Sequence, residues 1–90
     1  MKVRYSADFE RRLRKLVKGN RSLAKEIAEV VEIFKSNPGY PGIRLHKLKN
    51  DLKEYWSITV NFDLRILFYY SGDIVVFTDI GKHEEVYRTN

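Results

Sequence analysis

The sequence predicts one α+β domain over residues 1–90: an N-terminal strand, two helices, three to four antiparallel strands forming one sheet, and a short C-terminal segment. Apolar side chains recur at helical spacing in the first third of the chain, whereas strand-like alternation runs from residue 56 to residue 80. Between them, residues 37–42 are rich in proline and glycine and connect the two parts. Neither part could bury a core alone, so we expect the helices to pack on one face of the sheet.

The positive charge of the chain is concentrated near its N-terminus. The net charge is +5, and residues 1–35 carry ten Lys and Arg against five Asp and Glu, whereas the remainder carries seven of each. A basic surface favours a polyanionic partner, either nucleic acid or an acidic protein. The chain has no cysteine and no apolar run of membrane-spanning length, so we expect a soluble, cytoplasmic domain without disulfides.

The first two elements are predicted from residues 2–17. Residues 2–5 alternate polar and apolar side chains, which is typical of an edge strand. Ser6 has the position of an N-cap for the first helix, which we expect to end near Gly19. Its apolar stripe consists of Phe9, Leu13, Leu16 and Val17. The opposite face is basic and is either a solvated surface or a contact for phosphates or an acidic partner.

A second helix is expected to begin at Ser22 and to end before Pro38, because the residue ahead of a proline is disfavoured in helical conformation. Its apolar stripe consists of Leu23, Ile27, Val30, Val31 and Phe34. The two helices then form a hairpin whose stripes cover the sheet.

The sheet is predicted from strand-like runs at residues 43–47, 56–60, 65–70 and 74–80, with turns at 61–64 and 71–73. Alternation assigns one set of side chains to the buried face: Trp56, Ile58, Val60, Ile66, Phe68 and Ile80. The other face is expected to be open and polar, with Ser57, Thr59, Asn61, Arg65, Tyr69 and Asp79.

A second concentration of positive charge precedes the main strands. It consists of Arg44, Lys47, Lys49 and Lys53. Such a cluster beside an aromatic strand is suited to holding a phosphate backbone. His46 and His83 are the only histidines, and neither belongs to a cluster with metal-ligand spacing, so we expect no metal site and no other cofactor.

Residues 45–58, 63–67 and 79–87 together carry a resemblance to a known family. In these stretches, and in the order of its elements, the chain resembles the RelE/ParE superfamily of bacterial and archaeal toxins, most of all the YafQ-like mRNA interferases. The resemblance implies a RelE-like fold and a metal-independent ribonuclease that enters the ribosomal A site and cuts the bound message. In that reaction the 2′-hydroxyl of the RNA attacks the adjacent phosphate, which leaves a 2′,3′-cyclic phosphate and a 5′-hydroxyl.

The resemblance also implies roles for five residues. His83 corresponds to the general acid, and either His46 or Asp63 to the general base. Arg65 corresponds to the cation that stabilises charge on the scissile phosphate. Tyr87 occupies the place of a terminal aromatic residue that stacks on a base or orients the phosphate, although it could instead only pack the C-terminal segment. The cationic residues Arg44, Lys47, Lys49 and Lys53 are then the expected RNA contacts.

Two positions depart from the YafQ-like pattern. Thr59 stands where a second histidine is usual, and Asp79 stands where an arginine is usual. Arg65 and Asp79 could instead form a cross-strand ion pair, which would make them structural residues.

The resemblance leaves the activity with alternatives, because related toxins bind and inhibit DNA gyrase and others are inactive. It implies a cognate antitoxin protein as the partner in each case. An acidic amphipathic segment of that antitoxin would fit between the basic first helix and the sheet, and we expect it to cover or displace residues 81–87.

Overall fold

A computed structural model of the chain describes residues 1–87. The elements are β1 (Lys2–Tyr5), α1 (Ala7–Val17), α2 (Arg21–Ser36), β2 (His46–Lys47), β3 (Trp56–Thr59), β4 (Leu64–Ser71), β5 (Ile74–Lys82) and α3 (His83–Val86). The strands form one sheet in the order β1-β5-β4-β3-β2, in which β1 is parallel to β5 and the other neighbours are antiparallel. The predicted α+β fold is confirmed, with β1 as an edge strand.

The helix starts show one confirmed prediction and one correction. Ser6 caps α1, since its hydroxyl accepts a hydrogen bond from the amide of Phe9 at 3.1 Å. The second helix, α2, begins at Arg21 and not at Ser22. The cap is Asn20, whose side-chain oxygen accepts from the amide of Leu23 at 3.0 Å. Gly19 adopts a φ of +69° just before it, and this left-handed turn lets α2 begin at Arg21, one residue earlier than expected.

The main core lies between the two helices and one face of the sheet. Phe34 of α2 contacts Phe68 of β4 and Phe77 of β5, with ring centroids 4.9 and 5.8 Å apart. These three rings are fully buried, as are Ile58 and Ile66 of the central strands. The predicted apolar stripes therefore meet the predicted buried face, and Trp56 packs at its margin.

The strand predicted for residues 43–47 is wrong over its first half. Pro41–Ile43 form a 3₁₀ turn, and Arg44 ends it in a left-handed conformation with a φ of +47°. The amide of Arg44 donates a hydrogen bond to the carbonyl of Pro41 at 3.1 Å. This amide therefore bonds within the turn and not to a neighbouring strand. Only His46 and Lys47 join the sheet, where they pair with Ser57 and Trp56 of β3.

The second face of the sheet is less open and less polar than predicted. Leu67 lies between the core residues Ile66 and Phe68, so its side chain faces away from the helices. It is buried there with Leu48 and Val86. Three half-buried residues pack on this smaller cluster: Leu52, Tyr55 and Tyr87. Alternation alone gave no reason to expect that α3 would cover Leu67.

Within residues 1–87, no helix is both long enough and apolar enough to cross a bilayer.

Candidate functional site

A cleft of about 460 Å³ opens on the sheet face that carries α3. We call it the sheet-end cleft. It is lined by Arg44, Leu45, His46, Leu48, Ser57, Thr59, Arg65, His83 and Tyr87. Four of the five residues that the sequence singled out for chemistry thus share one cavity, namely His46, Arg65, His83 and Tyr87.

The strand register explains why residues so distant in sequence meet here. Thr59 of β3 pairs with Arg65 at the start of β4, and Arg65 pairs with Gly81 near the end of β5. Since α3 follows directly after β5, His83 lies two residues beyond the partner of Arg65. His46 reaches the same region from the other side, because β2 pairs with β3. The cleft therefore depends on the sheet rather than on one loop.

Arg65 is half-buried and holds its own surroundings in place. One guanidinium nitrogen, Nη1, donates to the carbonyls of Asn61 at 2.9 Å, Phe62 at 3.2 Å and Leu64 at 3.3 Å. None of these three bonds uses Nε or Nη2, so the turn leaves part of the planar fork unused, and Arg65 lines the cleft. The arrangement can bind an oxyanion with little reorganisation, because the cation is already fixed.

Tyr87 connects α3 to the sheet. Its hydroxyl donates to the buried hydroxyl of Ser57 at 2.6 Å. Its ring is perpendicular to the imidazole of His83, with centroids 4.3 Å apart and planes at 90°. Tyr87 therefore fixes the position of α3 and restricts the orientation of the His83 ring.

We predict that Tyr87→Phe lowers the free energy of unfolding by about 1–2 kcal/mol, because it leaves the Ser57 hydroxyl buried without its partner. Urea unfolding measures this loss. Tyr55→Phe is the matched control, since Tyr55 lies in the same cluster and its hydroxyl forms no described hydrogen bond. In the double variant Ser57→Ala/Tyr87→Phe, the loss should be smaller than the sum of the two single losses; strict additivity would contradict the pairing.

Asp79 forms an ion pair with a cation other than Arg65, the residue that the sequence suggested as its partner. Its carboxylate pairs with Nε of Arg12 on α1 at 3.3 Å. Both residues line a separate groove of about 220 Å³ between α1 and β5. Arg65 is directed at the 61–64 turn instead, so the cross-strand ion pair between Arg65 and Asp79 is not formed. Asp79 is not among the described residues that line the sheet-end cleft.

Several predicted site residues lie outside the cleft lining. Asp63 is exposed in the 61–64 turn, where its amide donates to the side chain of Asn61 at 3.0 Å. The ammonium nitrogen Nζ of Lys47 donates a hydrogen bond to the carbonyl of Lys53 at 3.0 Å, and it lies 5.4 Å from the centre of the Trp56 ring. Lys49 and Lys53 are exposed on the adjoining turn. Of the four predicted cationic contacts, Arg44 alone lines the cleft.

The sequence reasoning missed Ser57 as a participant. Alternation had assigned Ser57 correctly to the second face, but nothing in the sequence indicated that a residue thirty positions away would bond to it. As for metal ions, residues 1–87 contain no group of three or more His, Cys, Asp or Glu placed to hold one.

Comparisons with known proteins agree with this fold. A family model described as a bacterial toxin of type II toxin–antitoxin system, YafQ, matches residues 1–88. YafQ from E. coli strain BL21(DE3) superposes with a TM-score of 0.79 at 17% identity, covering 96% of this chain and 97% of that chain. A metal-bound toxin from Helicobacter pylori superposes with a TM-score of 0.78 at 24% identity, covering 97% and 99%.

The toxin in the E. coli DinJ–YafQ toxin–antitoxin complex is also similar, with a TM-score of 0.77 at 16% identity over 96% of each chain. A search of the curated protein sequences gives no match. The family model and the similar structures each cover nearly the whole chain.

Proposed function

The chain belongs to the YafQ family of bacterial toxins of type II toxin–antitoxin systems, and from that membership we propose that it is a metal-independent, ribosome-dependent mRNA endoribonuclease acting in the cytoplasm. The observation that carries the proposal is the meeting of both histidines of the chain with Arg65 in the sheet-end cleft. Cleavage of RNA by its own 2′-hydroxyl requires a base, an acid and a cation, and these three side chains can supply them.

In the proposed reaction, His46 removes the proton of the 2′-hydroxyl, and the resulting oxygen attacks the adjacent phosphorus. Arg65 neutralises the negative charge that develops on the phosphorane. The bond to the 5′-oxygen then breaks, and His83 donates a proton to that oxygen. The products are a 2′,3′-cyclic phosphate and a free 5′-hydroxyl, with the proton taken by His46 balancing the proton given by His83.

His46 is the better candidate for the base than Asp63. Both residues are exposed, but only His46 lines the cleft that holds Arg65 and His83. A general base needs to lie within hydrogen-bond reach of the proton it removes, so position decides before acidity does. Tyr87 acts as a positioning residue in this proposal, because its hydroxyl is bonded to Ser57 and its ring contacts His83.

The proposed partner is a cognate antitoxin, as in the E. coli DinJ–YafQ complex. An apolar groove of about 370 Å³ lies between α1 and α2, and its lining includes Phe9, Leu13 and Val31. The groove between α1 and β5 presents Arg11, Arg12 and Lys15. An amphipathic acidic segment would find apolar and cationic contacts on these neighbouring surfaces, and α3 would be covered if the segment continued past β5.

The experiment that tests the proposal is controlled expression of the toxin with and without its antitoxin, followed by two measurements on the arrested cells. The two measurements are the integrity of the messages and the supercoiling of a plasmid. Without the antitoxin we expect arrested growth, cut messages and normally supercoiled plasmid DNA. With the antitoxin we expect normal growth and intact messages. Intact messages with relaxed plasmid would identify a gyrase inhibitor instead. Intact messages with normal growth would identify an inactive member of the family.

A further inference from the structure

Phe62 is the most exposed of the large apolar residues described, with 92% of its surface open to solvent. The chain has five phenylalanines, and the other four are 1% exposed or less. Exposure of one large ring is not unusual by itself. Its position is informative, because it lies in the tight turn between β3 and β4, next to Arg65.

The turn that carries Phe62 is held firmly. The side-chain oxygen of Asn61 accepts from the amides of Asp63 and Leu64, each at 3.0 Å. The amide nitrogen of the Asn61 side chain donates to Glu26 of α2 at 2.8 Å. With the three bonds from Arg65 to the carbonyls of this turn, the backbone on both sides of Phe62 is fixed. The ring is therefore presented to solvent by a rigid support.

Phe62 forms one wall of a second cleft of about 490 Å³, which we call the turn cleft. It is lined by Gly42, Arg44, Thr59, Val60, Asn61, Phe62 and Arg65. Arg44, Thr59 and Arg65 also line the sheet-end cleft. The two clefts thus adjoin along a boundary that carries two guanidinium groups.

We propose that the turn cleft binds the nucleotide on one side of the scissile phosphate, with its base stacked on Phe62; this inference rests on the proposed ribonuclease function. In RNA, a phosphodiester lies between two nucleosides. In this protein, Arg44 and Arg65 lie between two clefts, so a phosphate at the arginines would leave one nucleoside for each cleft. The phosphate lies at the boundary, one nucleoside enters the sheet-end cleft, and the other enters the turn cleft. Single-stranded RNA is bound in this manner, by cations along the backbone and aromatic rings under the bases.

The surroundings of the ring favour a base over a protein partner. The centre of a protein–protein interface is apolar and depleted of charge, with several large side chains together. Phe62 is a single ring, and the cleft that it lines also contains the amide of Asn61 and the guanidinium groups of Arg44 and Arg65. A flat apolar surface beside a cation matches a nucleotide, which has a flat base and a negative phosphate.

The first test compares Phe62→Leu with Phe62→Trp in a reconstituted translation mix. Leucine keeps an apolar side chain without an aromatic face, so kcat/KM for message cleavage should fall about tenfold. Tryptophan keeps the face and should retain the wild-type rate. Neither substitution should change the unfolding midpoint, because the side chain is exposed. Equal rates for the wild type and Phe62→Leu would overturn the proposal, and so would equal losses in both variants.

The second test locates the stacked base by placing an abasic nucleotide in the message on either side of the cut. At one of the two positions it should slow the wild type about tenfold and slow Phe62→Leu little further. If the abasic nucleotide slowed Phe62→Leu as much as it slows the wild type at both positions, Phe62 would contact something other than the message, such as ribosomal RNA. An effect of Phe62→Leu on antitoxin affinity alone would identify a protein contact. Either result would overturn the proposal.

A binding measurement separates this proposal from the proposed function. The probe is a short fluorescent RNA with 2′-O-methyl groups, which lacks the attacking hydroxyl. Its affinity should fall about tenfold in Phe62→Leu and stay unchanged in Phe62→Trp. If the wild type binds the probe in this way but cuts no message, the ribonuclease function fails while the stacking contact stands. If it cuts messages and the probe affinity is the same in all three proteins, the stacking contact alone fails.

Discussion

Arg65→Ala is expected to lower kcat/KM for message cleavage by about 100- to 1,000-fold, the usual loss when one preorganised stabiliser of a developing oxyanion is removed. Its guanidinium lines both clefts and is fixed by three carbonyls of the 61–64 turn. The substitution therefore removes a cation from the proposed position of the phosphate and also loosens the turn that carries Phe62.

Two variants separate these contributions. Arg65→Lys retains the charge but loses the planar fork, so we expect an intermediate loss. Arg21→Ala removes the same charge from the exposed start of α2, away from the lining of both clefts, and should leave the rate within about twofold. If Arg21→Ala and Arg65→Ala gave equal losses, the effect would be one of net charge, and Arg65 would have no special role.

His83→Ala is expected to reduce the cleavage rate by about 100- to 10,000-fold, the range typical for loss of a general acid. His83 is the first residue of α3, and its ring packs perpendicular to the ring of Tyr87. His83→Phe is the sharper variant because it keeps an aromatic ring against Tyr87 while removing the proton donor. A loss as large in His83→Phe as in His83→Ala would show that chemistry, and not packing, is affected.

A measurement of the cleavage rate against pH in two variants tests whether His83 is the general acid and His46 the general base. A general acid must carry its proton, so removing His83 should abolish the decline in rate on the alkaline side of the profile. A general base must be free of its proton, so His46→Ala should abolish the decline on the acidic side. The opposite pattern would exchange the two roles. Profiles that keep the wild-type shape in both variants would exclude both histidines from proton transfer.

The sequence predicted the elements that depend on local periodicity. The stripe containing Phe34, the cap at Ser6 and the alternation through Ile66 and Phe68 each have a short-range signature, and all three are present. The start of α2 was predicted one residue late because the cap at Asn20 follows the left-handed conformation of Gly19, which the helical spacing of apolar residues does not indicate. Likewise, the alternation at residues 43–47 gave no indication that Arg44 would end a 3₁₀ turn.

The sequence indicated several of the residues that line the sheet-end cleft, but none of the contacts between them. His46, Arg65, His83 and Tyr87 were singled out before their positions were known, and they line one cleft. Asp63 was singled out equally, yet it lies outside the cleft because the Asx turn at Asn61 leaves it exposed. Such differences arise from tertiary packing over distances that sequence periodicity does not describe.

The sequence indicates no role for Phe62. It places this residue between the polar Asn61 and Asp63 in a predicted turn, and periodicity does not show whether its ring is buried. Its near-complete exposure becomes informative only when Arg44 and Arg65 are found on the walls of the same cleft.

The central claim is that both histidines and Arg65 cleave RNA together in one cleft. The most direct test is cleavage of a message on ribosomes in a purified translation mix, with the cut mapped by primer extension and the ends of the products identified chemically. We predict a cut at the A-site codon, a 2′,3′-cyclic phosphate, a 5′-hydroxyl, and loss of all three in His83→Ala and Arg65→Ala. Message that stays intact with the wild-type protein, or cuts that persist unchanged in both variants, would contradict the account.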